Sequence, residues 1–212
     1  MSLLSFKNLK LSDETGKTLI YIKNLSISKG DVISTEVKDV SNIFLELCSG
    51  NIKKPDSGEI SINSKGALIK NYDSFSSFRP MELLDLTSRL SGKHFIKKEI
   101  QNFIKDFGIE NKKLGKLDSY SKRIIFVLNS LICRNDVICL KEPFTDDADS
   151  NKKILSLLNK LIPECAIIIE TQKHIPGNIF NRLLIFNEDN HLVKEKDLNK
   201  NTKGIEEKEN AR

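Results

Sequence analysis

Short apolar runs alternate with helical patterns from about residue 30 to about residue 170, and this alternation constrains the fold more than any other feature of the chain. "DVIST" reads as a strand and "NIFLELCSG" as a short helix closing at Gly50. "PDSG" is a turn and "EISI" a further strand. "MELLDLTSRLSG" is helical, with Leu83, Leu84, Leu86 and Leu90 on one side. "KKEIQNFIKDFGI" carries Ile100, Phe103, Ile104 and Phe107 on one stripe, the mark of an amphipathic helix. "SKRIIFVLNSLICRN" is a more apolar helix, "DVICLKEPF" a buried strand, "DSNKKILSLLNKLI" a helix and "CAIIIETQ" a core strand. Strands separated by helices pair in parallel, so an α/β fold is predicted: a mainly parallel sheet with helices on both faces.

The ends of the chain depart from this rhythm. "LLSFKNLKLS" and "KTLIYIKNLSIS" alternate in the strand period around the polar turn "DETG", which predicts an attached antiparallel layer. "NRLLIFN" and "HLVKE" predict a closing hairpin around "EDN". The last residues are polar and centred on no core. They predict one domain over residues 1–197 and a flexible tail over 198–212.

Composition narrows the class. The chain has 212 residues, a formal net charge of +5 and 30% charged residues of both signs. The charges are interspersed, and no compact basic cluster with interleaved aromatics appears, so no nucleic-acid partner is expected. Cys48, Cys133, Cys139 and Cys165 lie in apolar segments without metal-ligand spacing, as free thiols in a reducing compartment do. No apolar run approaches the ~18–20 residues that span a bilayer, and no signal peptide is read. The richness in Lys, Asn and Ile hints at an AT-rich bacterial genome.

The stretch from Gly30 to Ile62, "GDVISTEVKDVSNIFLELCSGNIKKPDSGEISI", has flanks like those of a phosphate-binding loop but no glycine between Gly30 and Gly50. Taken with "NLSISKGDV", "RPMELLDLTSRLSG" and "KRIIFVLNSLICRNDVICLKEPF", in that order and spacing, it resembles the nucleotide-binding subunit of an ATP-binding-cassette (ABC) transporter. The resemblance runs from about Leu4 to about Glu195. It implies a P-loop NTPase-like fold with a small helical subdomain at about residues 72–120.

Each motif of that family departs from its pattern here. A phosphate loop needs G-x-x-x-x-G-K-[ST], with glycines to turn backbone N–H groups inward, lysine for charge and a hydroxyl for magnesium. The lysine position falls on Ser41 and the hydroxyl position on Asn42, in a segment about two residues short, with Val40 and Asp39 before them. The magnesium-orienting aspartate after the apolar strand is Lys141, while Glu142 keeps the place of the general base. The signature motif aligns with "LDSYS", so Asp118 replaces a serine and Tyr120 a glycine. The switch histidine is Gln172; His174, two residues on, is read as an ordinary loop residue. No glutamine lies between Gly50 and Glu99, and the adenine-stacking aromatic would fall near Thr15.

The resemblance with these losses implies a catalytically inactive cassette subunit, with ATP and magnesium not bound productively. It would sit at the cytoplasmic face of the cell membrane through a permease subunit, paired with another cassette-type subunit. A weak or half-site ATPase and a soluble adaptor are the alternatives. Lys141 is expected to turn into the vacated site and pair with Asp39 or Glu142. Tyr72, Phe75, Phe78, Arg79 and Met81 mark the region where the family receives a short permease helix; the rings would line that groove or fill the subdomain's own core.

Overall fold

The computed structural model describes residues 2–36, 38–51, 54–91, 97–133, 135–171 and 179–198. The chain divides into two compact units, one of Met1–Leu68, Asp136–Glu142 and Ile162–Arg212, the other of Ile69–Asn135 and Pro143–Leu161. The second takes in the whole 72–120 region and extends past it. Residues 199–212, nearly all of the expected tail, lie outside the described residues, as do Gln172 and His174.

In the first unit, β1 (Ser2–Ser12) and β2 (Thr18–Ser28) pair antiparallel, as their alternation requires. Their turn is closed by the Asp13 carboxylate, which accepts from the backbone N–H groups of Thr15 at 2.8 Å and Lys17 at 3.0 Å. β4 (Ser57–Ile62) adds to the other side of β1. The buried positions of β1 change phase between Phe6 and Leu9, where Asn8 adopts a φ of 48°. Gly58 faces this irregularity, and a Cβ there would stand 2.2 Å from the Asn8 carbonyl oxygen, so only glycine fits.

A second sheet holds β3 (Val32–Thr35), β5 (Gly66–Ile69), β6 (Val137–Lys141), β7 (Ala166–Glu170), β8 (Arg182–Phe186) and β9 (Leu192–Asp197). Its order is β5-β6-β7-β3-β8-β9. β6, β7, β3 and β8 run parallel, and β9 closes an antiparallel hairpin with β8. The short β5 has no counterpart in the sequence reading, because four residues after Lys65 hold no alternation to detect. Helix α1 (Asp39–Cys48) shares one hydrophobic core with both sheets through Val40, Phe44, Leu45, Leu47 and Cys48. The Phe44 ring lies 6.2 Å from Phe6 of β1 and 5.8 Å from Phe186 of β8.

The second unit is helical: α2 (Pro80–Leu90), α3 (Lys97–Asp106), a 3₁₀ turn (Leu114–Lys116), α4 (Ser119–Ile132) and α5 (Ala148–Leu161). α2 starts with proline at its first position, and the Glu82 carboxylate accepts from the Arg79 N–H at 2.8 Å. Leu83 and Leu84 are buried, but Leu86 and Leu90 are 39% and 80% exposed. The buried positions of α2 are Pro80, Leu83, Leu84 and Ser88, and the helix packs against α3 and α4. On α3 and just beyond it, Ile100, Ile104 and Phe107 are buried, as their spacing implied. Among the described residues no helix is long and apolar enough to cross a membrane.

Candidate functional site

In parallel sheets of this kind ligands are received at the carboxyl ends of the strands. Here those ends are Thr35 of β3, Lys141 of β6 and Glu170 of β7, neighbours in register across the sheet. The connection from β3 to α1 is knotted by hydroxyls. Ser41, fully buried, donates to the Glu36 carbonyl at 2.6 Å, and its oxygen lies 2.9 Å from the Thr35 hydroxyl. Its single proton is committed to Glu36, so Thr35 is the donor of the second bond. Lys38 stands at the N-cap of α1 with extended backbone and no side-chain cap. Its ammonium turns back to the Phe186 carbonyl at 3.3 Å and the Glu36 carboxylate at 3.1 Å. Asp39 sits in the first turn of α1, where a negative side chain already answers the positive end of the helix dipole.

Lys141 does turn toward α1. Its ammonium donates to the side-chain oxygen of Asn42 at 2.6 Å, across 99 positions of sequence. This bond is to an amide that the sequence reading did not name, because α1 brings Asn42 to the end of β6. Glu142 follows with a φ of 46°, a left-handed conformation costly for a residue with a Cβ. Its N–H donates to the Glu170 carbonyl at 2.8 Å, and its carboxylate is 3.5 Å from the Thr171 hydroxyl.

Glu170, within the core strand read as "CAIIIETQ", has no role in the sequence reading and is the last residue of β7. Its side chain is 0% exposed, and neither carboxylate oxygen has a hydrogen-bond partner among the described residues. Desolvation pushes its pKa up; the nearby Lys141 charge opposes this and Glu142 reinforces it. The available signal was an acid closing an apolar run, one strand away from an unexpected lysine.

In the helical unit, Asp118 caps α4. Its carboxylate accepts from the Ser121 N–H at 2.7 Å and the Ser121 hydroxyl at 3.2 Å. Tyr120 donates to the Phe107 carbonyl at 3.4 Å, and the Lys153 ammonium lies 5.5 Å from its ring centre. Desolvation first, then the Asp118 charge, push the Tyr120 phenol up to about 12. The groove residues cluster around α4: the Tyr72 ring is 6.0 Å and the Phe75 ring 6.5 Å from Phe126, and Phe75 stacks edge-on to Phe78 at 5.8 Å. The Arg123 guanidinium lies 5.0 Å over Tyr72. Phe75 remains 51% exposed on a backbone with a φ of 58°, Arg79 is exposed and Met81 half-buried.

Three of the four cysteines, Cys48, Cys139 and Cys165, are buried, and all four are thiols outside any disulfide. Desolvation raises the pKa of each of those three, so they behave as core residues and not as nucleophiles. Among the described residues no three His, Cys, Asp or Glu side chains group as metal ligands would.

No protein-family model matches the sequence, and no curated protein does either. Solved structures match closely in fold. The ATP-binding subunit of an ABC transporter superposes with a TM-score of 0.76 at 15% identity, over 96% of this chain and 93% of the other. A bacterial ABC transporter cassette solved as a dimer gives 0.75 at 17% identity, over 92% and 98%. A cassette from Clostridium perfringens, part of the cbiONQ transporter complex, gives 0.73 at 18% identity, over 100% and 95%. The fold is therefore that of the ATP-binding cassettes of ABC transporters, a P-loop NTPase fold with a parallel-dominated sheet and an antiparallel sheet.

Proposed function

We propose that this chain is a non-hydrolysing cassette subunit with a structural or regulatory role in a membrane transport complex. It would work at the cytoplasmic face of the membrane, held there by a permease subunit and paired with a second cassette-type subunit. The fold supports the class, and one observation carries the loss of activity: the bond between Lys141 and Asn42. In P-loop enzymes of this class a hydroxyl on the helix and an aspartate at the strand end hold the magnesium ion. Here the first place offers an amide already engaged and the second an ammonium, which has no lone pair for a metal and repels one.

The helix N-termini agree with this reading. Asp39 in the first turn of α1 and the Asp118 carboxylate on the N–H groups of α4 each put an anion where phosphate would be received. The Tyr72–Met81 surface, with Phe75 half exposed on a strained backbone, is the proposed contact for the permease.

Isothermal titration of the full chain with Mg-ATP tests the proposal. No heat of binding at micromolar to millimolar nucleotide is expected. Saturable micromolar binding that depends on magnesium would replace it with the reading of a weak ATPase.

A further inference from the structure

An ionised carboxylate taken out of water without hydrogen bonds costs several kcal/mol unless a nearby charge offsets it. Glu170 is a carboxyl group sealed from water with no hydrogen-bond partner among the described residues, on a central strand of the six-stranded sheet with β6 on one side and β3 on the other. Its neighbour in register on β6 is Lys141, the one residue of that strand not fully buried. Lys141 is in turn bonded to Asn42 on α1. The Glu142 backbone ties the same two strand ends together through its bond to the Glu170 carbonyl. β7, β6 and α1 are thus linked in series across the crevice that receives ligands in this fold.

We propose that Lys141 is a resident cation: its ammonium stands in for the metal ion, bonds Asn42 and supplies the counter-charge that lets Glu170 stay buried, so the site is locked without ligand. The inference deepens the functional reading above and rests on its assignment of positions 42 and 141. It explains why two unusual residues occur together. Lysine at the end of β6 or glutamate at the end of β7 would each be unfavourable alone. As a pair they partly offset one another, and α1 is held in place by an internal charge instead of a bound ion.

A double-mutant cycle on the full chain tests the lock, with unfolding in urea as readout and no nucleotide present. Lys141→Met strands Glu170 without its counter-charge and destabilises the chain. Glu170→Gln is expected to raise stability about tenfold more, in the unfolding equilibrium constant, in the Lys141→Met background than in the wild type. If Lys141→Met alone fails to fold, rescue by adding Glu170→Gln supports the lock equally. A cycle that closes additively within about twofold, or a double variant no better than Lys141→Met, overturns it. Magnesium chloride, compared with sodium chloride at equal ionic strength, is expected to leave the wild-type melting temperature unchanged; a specific rise overturns the resident-cation role. Because the cycle contains no nucleotide, additive behaviour sinks the lock alone, whereas Mg-ATP binding beside a non-additive cycle sinks the functional reading and the resident-cation role and leaves only the Lys141–Glu170 coupling.

Discussion

Glu170 shows how one side chain can carry opposing terms. Burial raises its pKa from the ordinary value of 4.5, and Lys141 pulls it back without fully compensating. A carboxyl group whose folded pKa lies above its unfolded one binds more protons when folded. Its favourable contribution is full below about pH 4.5 and is lost as pH rises through the folded value. Glu170→Gln removes that titration. The variant is expected to melt higher than the wild type at pH 7–8, and the advantage shrinks as pH is lowered toward 4.5, measured by thermal unfolding across a pH series. Ser41 teaches the complementary lesson. It is polar and fully buried at no visible cost, because Glu36 takes its proton and Thr35 meets its oxygen.

At the scale of elements, the start of α4 shows a helix made self-sufficient. Four N–H groups at a helix start lack partners within the helix, and the Asp118 carboxylate takes one of them. Asp118→Ala is expected to cost about 1 kcal/mol of stability in a urea titration, and Asp118→Ser to restore most of it, since a hydroxyl also caps. The amphipathic pattern of α3 was legible because Ile100, Ile104 and Phe107 of its apolar stripe are buried and Phe103 is half-buried. The leucine pattern of α2 does not by itself say which leucines are covered: Leu83 and Leu84 are buried, Leu86 and Leu90 exposed, because periodicity reports which residues share a side, not whether anything covers it. β5 was missed for the opposite reason, since a strand of four residues contains too few positions to show a period.

For the molecule as a whole, the first unit depends on α1 joining two sheets of different kind. Phe44 is the residue at that junction, 0% exposed and in ring contact with Phe6 and Phe186. Phe44→Ala is expected to cost about 3–5 kcal/mol, seen as a lower urea midpoint with unchanged slope. That is a large share of the roughly 5–15 kcal/mol that holds a domain folded. The order of strands and helices apart from β5, the antiparallel opening, the closing hairpin and the α/β class were determined by the sequence alone. They rest on local periodicity and turn chemistry, which each segment carries in itself. The positions Ser41, Asn42, Asp118 and Lys141 were likewise picked out by counting along the chain, and what they do to nucleotide binding stays with the proposal above. Only the tertiary structure decided that Lys141 bonds Asn42 and that Glu170 is sealed beside it. Those contacts join residues 99 positions apart or on neighbouring strands, and they depend on sheet register and on where α1 packs. No local pattern encodes either quantity: register is set by pairing across the whole sheet, and burial by what the rest of the chain places on top.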